Sequence, residues 1–147
     1  ALPISNRIVA EISATEHWPA IEELVQVLVD SGELSEDASS EVLSGIKARE
    51  EQSSTGIGNG VAIPHCYSEQ VDEGLAIFGR SKEGLDFCSI DRAPVHFVIM
   101  LINPKGATAK HLKTLSSIAK TMNSAETRER LAAAADATEI LAILSEH

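Results

Sequence analysis

The sequence predicts an α/β sandwich in which a mixed β-sheet carries helices on both faces. Segments of helical period precede, separate and follow segments of strand character. The run Val95–Ile102 is almost continuously apolar and is bounded by Pro94 and Asn103-Pro104, the pattern of a strand buried on both faces. The connections between strands are unequal in length, which favours a mixed sheet over a regular alternation.

Each element follows from local chemistry. Arg7–Ser13 is rich in β-branched residues and partly alternates, so it reads as a first strand. Trp18–Ser31 places Ile21, Leu24, Val25 and Leu28 at helical spacing, with Pro19 in the first turn and Gly32 as a stop. Ser35 caps a second helix running to about Glu50, whose buried stripe is Ala38, Val42, Leu43 and Ile46. Ser53–Gly60 then carries three glycines at alternate positions and reads as irregular backbone. Val61–His65 is short and apolar and ends in Pro64-His65; Gly74–Ser81 is a strand with Lys82–Gly84 as its turn. After Lys105-Gly106, Thr108 caps a helix to Met122 with Leu112, Leu115, Ile118, Ala119 and Met122 inward. Ser124 and Asp136 start two last helices, Ala125–Ala135 and Ala137–Ser145.

Composition narrows the functional classes. A chain of 147 residues is the size of one domain, here spanning 1–147, and an apolar share of 44% suits a buried core. Acidic residues outnumber basic ones 22 to 12, giving a net charge of −10. That balance disfavours nucleic acid and anionic membranes as partners, and Trp18, Tyr67, Phe78, Phe87 and Phe97 are too few for a base-stacking platform. Proteins or small molecules are the expected ligands, and a partner with a basic face is the electrostatic complement. The purely apolar run Phe97–Ile102 is far too short to span a membrane. No signal-peptide pattern opens the sequence and no internal repeat is found, so a cytoplasmic protein is expected.

The candidate chemistry gathers around the glycine segment. Thr55-Gly56-Ile57-Gly58-Asn59-Gly60 allows tight turns and close backbone approach, yet it is neither a P-loop nor GxGxxG. It reads either as a phosphate-cradling loop or as a plain helix-to-strand connection. His65 ends the strand that follows, either as a capped surface histidine or as a neutral imidazole, which is a good nucleophile at cellular pH. Cys66 is adjacent, but consecutive side chains of an extended segment diverge, which argues against a Cys–His dyad. His111 lies in the first turn of its helix, where it is either incidental or, kept neutral by the dipole, able to donate to a bound anion. Arg49 closes the second helix, either complementing its dipole or folding across to an anion. His96 reads as a core histidine, and His17 and His147 as surface or terminal ones. The spacing of His65, Cys66, Cys88, His96 and His111 matches no metal-ligand pattern, and the GxSxG of serine hydrolases is absent.

Arg49 followed by Ser54-Thr55-Gly56-Ile57-Gly58-Asn59-Gly60-Val61-Ala62-Ile63-Pro64-His65 resembles the signature of IIA proteins of the phosphoenolpyruvate-dependent phosphotransferase system, fructose/mannitol type, a group that includes the nitrogen-regulatory IIA proteins. Glu83–Phe87 (EGLDF), Pro94-Val95-His96 and His111-Leu112 fall in register with it, so the resemblance runs through essentially the whole chain.

The resemblance implies a three-layer α/β/α sandwich around a small mixed sheet. It implies a phosphocarrier in which His65 accepts a phosphoryl group from the carrier HPr or its nitrogen-type counterpart. His111 matches a second histidine that supports the acceptor, and Arg49 an arginine that closes on the phosphate. Thr55, Gly56, Gly58, Asn59 and Gly60 match the loop expected to support the phosphoryl group. Such transfer needs in-line approach and stabilised equatorial oxygens, which backbone N–H groups, a helix N-terminus and an arginine supply without Mg²⁺, so no cofactor is expected. The downstream partner is a IIB domain in sugar uptake or, for a nitrogen-type protein, a regulatory target. Cys66-Tyr67-Ser68 departs from the glycine, small or basic residues that many relatives carry after the acceptor. That departure bears on which partner docks.

Overall fold

The computed structural model describes residues 7–52, 54–87 and 92–146, so Cys88 and His147 lie outside the described residues. In chain order the elements are β1 (Ile8–Val9), α1 (His17–Asp30), α2 (Glu36–Gln52), β2 (Gly56–Gly58), β3 (Val61–Ala62), β4 (His65–Ser68), β5 (Leu75–Leu85), β6 (Val95–Pro104), α3 (Thr108–Met122), α4 (Ala125–Ala133) and α5 (Ala137–Leu144).

The strands form one six-stranded sheet in the order β1-β5-β6-β3-β2, with β4 continuing the line of β3 along β6. It is mixed, as the unequal connections predict: β5 and β6 are antiparallel, whereas β1 runs parallel to β5 and β3 and β4 run parallel to β6. Alternation along β6 splits the interior into two cores. Val98, Met100 and Ile102 pack with Ile21, Leu24, Leu28, Val42 and Ile46 of α1 and α2. Phe97, Ile99 and Leu101 pack with Ile118, Met122, Leu131, Ile140 and Ile143 of α3, α4 and α5. Each such side chain contributes about 1.5–3 kcal/mol by burial, and a one-residue slip of β6 would exchange the two sets. The three-layer α/β/α arrangement follows from that double burial.

Several expected boundaries move. The glycine segment is regular after all: Gly56 and Gly58 pair with Ala62 and Val61 across a bulge. Asn59 and Gly60 both take positive φ (58° and 77°), as the tight two-residue hairpin turn demands and as Asn-Gly favours. The strand expected to stop at His65 resumes there and continues to Ser68, after a break at Pro64, which has no N–H to give the ladder but still accepts from Leu101 N at 2.9 Å. The Lys82–Gly84 turn is absorbed into β5 as an irregularity between Arg80 and Leu85, where Gly84 takes φ +94° against Pro94. The first strand shortens to Ile8–Val9. Ser35, Ser124 and Asp136 do cap α2, α4 and α5. Thr108 does not cap α3, because it is already the first helical residue and Ala107 occupies the cap.

Candidate functional site

The break at Pro64 shapes the first part of the site. His65 sits directly after it, and its Nδ1 lies 2.7 Å from the carbonyl oxygen of Ile63. A carbonyl only accepts, so Nδ1 carries the hydrogen and the lone pair of the neutral ring is on Nε2. Along β4, His65 and Tyr67 face α3, while Cys66 turns to the opposite face and into the core beneath α2. A Cβ at Gly45 would stand only 3.2 Å from that of Cys66. Burial, aided by the charge of Glu41, pushes the Cys66 thiol up to about 12, which removes it as a nucleophile.

The second histidine arrives on α3. His111 is buried in the first turn, its ring centroid 5.2 Å from that of His65, and the ring of Tyr67 stands 4.9 Å from it. Its Nδ1 pairs with the side-chain amide nitrogen of Asn103, at the end of β6. An amide nitrogen donates, so Nδ1 of His111 accepts and Nε2 holds the hydrogen. The two rings thus have complementary roles, one offering a lone pair and the other an N–H.

Electrostatics keep both rings neutral. Burial pushes His65 below the ordinary histidine value of 6.5; the Ile63 bond opposes this, the Arg49 charge lowers it further, and Glu50 pulls back up. Burial also lowers His111, and the repulsion that two protonated rings would feel adds to it through neighbouring His65. Arg49 stands half-buried in the last turn of α2 and acts on His65 through its charge.

Glu50, next to Arg49, is the anchor of this region. It is buried and accepts from the backbone N–H of Thr55 at 3.2 Å and from the Thr55 hydroxyl. Nε2 of His17 lies 3.3 Å from Glu50 Oε2 but out of line for a hydrogen bond. The His17 ring is held against Trp18 and Phe87, with centroids 4.1 and 4.0 Å apart, so His17 is not the surface residue the sequence suggests. Glu50 thereby ties the end of α2 to the start of the glycine segment. His96 is half-buried and satisfied, its Nδ1 2.9 Å from the Ser81 carbonyl.

The glycine segment reaches this site at one end. The Thr55 carbonyl accepts from Ile63 N at 3.1 Å, and Gly56 pairs with Ala62, two and three residues before His65. Gly58, Asn59 and Gly60 form the far tip of the hairpin, where the Gly60 carbonyl meets His96 N and Phe97 N. His65 pairs with Leu101, four residues further along β6, a separation of about 13 Å. His65, His111, Arg49 and Thr55 are therefore gathered, and the hairpin tip is not. Asn103 and Glu50 were invisible as site residues: one reads as a strand stop before proline, the other as a helix-end charge.

Among the described residues no group of three His, Cys, Asp or Glu side chains converges to hold a metal ion, and no helix is long and apolar enough to cross a membrane. The arrangement offers a neutral nucleophilic nitrogen beside an N–H donor and within electrostatic reach of a guanidinium. Such a setting suits a reacting group that carries negative charge.

Comparison with known proteins gives this geometry a family. The chain is 37% identical over 142 residues to the PTS system fructose-specific EIIABC component of Bacillus subtilis, covering 97% of this chain but 22% of that protein. The crystal structure of the nitrogen regulatory protein IIA-Ntr from Neisseria meningitidis superposes with a TM-score of 0.87 at 32% identity, covering 96% of this chain and 95% of that one. The fold is shared as well with a complex of enzyme IIAMTL and phosphorylated enzyme IIBMTL from Escherichia coli, with a TM-score of 0.80 at 20% identity and coverage of 97% and 96%. The family model for the phosphoenolpyruvate-dependent sugar phosphotransferase system, EIIA 2, matches residues 5–147, and the chain belongs to that family.

Proposed function

We propose that the protein is a phosphocarrier that accepts a phosphoryl group on Nε2 of His65 from HPr or a nitrogen-type counterpart and passes it to a IIB domain in fructose- or mannitol-type sugar uptake. The observation that carries this reading is the bond from Nδ1–H of His65 to the Ile63 carbonyl, beside the ring of His111. It aims a lone pair away from the backbone while the same bond steadies the positive charge that develops on the ring.

In the transfer step Nε2 of His65 attacks the phosphorus of the donor's phosphohistidine. The new N–P bond forms as the donor N–P bond breaks, and the donor imidazole leaves with the electron pair. The hydrogen stays on Nδ1 throughout, donated to the Ile63 carbonyl. Nε2–H of His111 and the Arg49 guanidinium then stabilise the equatorial oxygens. Leu112, expected inward from its spacing, is 59% exposed because His111 takes the buried position beside it, and it supplies an apolar contact at the rim for whichever protein docks. The net charge of −10 favours encounter with a basic face.

A second reading is favoured by the near end-to-end likeness to IIA-Ntr of Neisseria meningitidis. In this reading the phosphoryl group on the present chain is kept as a signal that controls binding to a target protein. Discharge of the phosphorylated chain separates the two. Rapid loss of the label to a fructose- or mannitol-type IIB domain supports the relay, whereas a label retained through that incubation supports the regulatory role.

A further inference from the structure

A cavity of about 490 Å³ opens between α4 and the irregular end of β5, on the same face of the sheet as His65 but at the other end of β6. Phe97, Ala125 and Ala132 give it apolar walls, and Asn59 at the hairpin tip borders it. Three cations line it, Arg80, Lys82 and Arg128, against the single carboxylate of Glu129. In a chain with 12 basic and 22 acidic residues, that local reversal of sign is unusual.

Arg80 makes the reversal consequential. It is 2% exposed, and its Nε–H donates to the Ala10 carbonyl at 2.9 Å while Nη1 donates to the carbonyls of Leu131 (2.8 Å) and Ala134 (2.6 Å). These bonds fix the guanidinium against the last carbonyls of α4, whose partial negative charge offsets part of its own, and no carboxylate among the described residues pairs with it. Nη2 takes no protein acceptor among those residues. Buried charges are normally paired, because an unpaired one is costly to desolvate. Half-buried Arg128 donates Nη1–H to the Met122 carbonyl at 2.7 Å and pairs with no carboxylate among the described residues. Ala125, Arg128, Glu129 and Ala132 present one flank of α4 to the cavity along the length of the helix.

We propose that this cavity is a binding site for a small phosphomonoester with a compact apolar body, separate from the phosphoryl-transfer site. The dianion sits among Arg80, Lys82 and Arg128, whose charge less that of Glu129 is about +2. The apolar body covers Phe97 and the alanines of α4. The volume is within the range of small-molecule pockets, and apolar walls with a few fixed polar groups are their usual make-up.

The test is an amide NMR titration of the intact chain with phenyl phosphate at constant ionic strength. Saturable shifts at Lys82, Ala125, Arg128 and Ala132 are expected, with Lys82→Gln and Arg128→Gln each weakening binding about threefold to fivefold. Benzyl alcohol, which lacks the anion, is expected to leave those amides unmoved. Lys82→Gln is also expected to accept phosphoryl groups at the unaltered rate, so the site is tested independently of the transfer reading. Shifts that stay linear, shifts confined to His65 and His111, or equal affinity of wild type and Lys82→Gln would each overturn the proposal.

Discussion

The side-chain amide of Asn103 donates to Nδ1 of His111, and that one bond decides which nitrogen of the second histidine faces outward as a donor. Replacing Asn103 by leucine keeps the branched outline of the side chain, with added volume, and removes the donor. Phosphoryl transfer to His65 is expected to slow about tenfold, equivalent to about 1.4 kcal/mol of barrier. The ¹⁵N shifts of His111 are expected to change to those of mixed tautomers. Unchanged imidazole shifts would show that Asn103 does not set the tautomer.

Arg49→Lys keeps the charge and loses the planar fork. Transfer is expected to slow by tenfold or more, while stability changes by no more than about 0.5 kcal/mol. Stopped-flow transfer rates alongside urea midpoints check both halves. Equal rates would reduce Arg49 to a helix-end charge.

Glu50 is a structural anchor, and its loss is expected to be felt in stability first. Glu50→Ala leaves the buried N–H and hydroxyl of Thr55 without their acceptor, at a cost of about 2–4 kcal/mol. Glu50→Gln keeps one acceptor oxygen and is expected to lose less. Urea denaturation of the three proteins measures this, and a neutral Glu50→Ala would contradict the anchoring role.

The pH dependence follows from two lowered histidines. In the folded chain His65 and His111 bind protons less readily than at their ordinary value of 6.5, so the unfolded chain takes up protons first as the pH falls. Their contribution to stability is therefore complete above pH 6.5 and is lost as the pH drops from there through the folded-state values. Urea midpoints at pH 7.5 and 5.5 are expected to fall further for wild type than for His65→Gln. Acceptance of the phosphoryl group is expected to stay flat from pH 8 to 6.5.

Much of this architecture is legible in the sequence because periodicity reports burial directly. The stripes Ile21–Leu28 and Val42–Ile46 and the apolar run of β6 face the two cores as their spacing requires. What escaped detection depends on partners distant in sequence or on backbone alone. β2 has no side-chain pattern, since two of its three residues are glycine and its pairing is carried by the main chain. Its turn did have a signal, the Asn59-Gly60 pair, which the density of glycines concealed. Among the candidate residues, His65, His111 and Arg49 come from three elements that the sheet brings to one end. Asn103 and Glu50 were missed because their roles appear only once α3 and Thr55 are packed against them.

The central claim is that His65 is the acceptor. Its most direct test is intact mass after incubation with phosphoenolpyruvate, Enzyme I and HPr, or the nitrogen-type pair, for wild type and His65→Ala. The expected result is one acid-labile phosphoryl group on wild type and none on His65→Ala, with both proteins folded by circular dichroism. The same adduct on His65→Ala, or no adduct on wild type with either donor system, would contradict it.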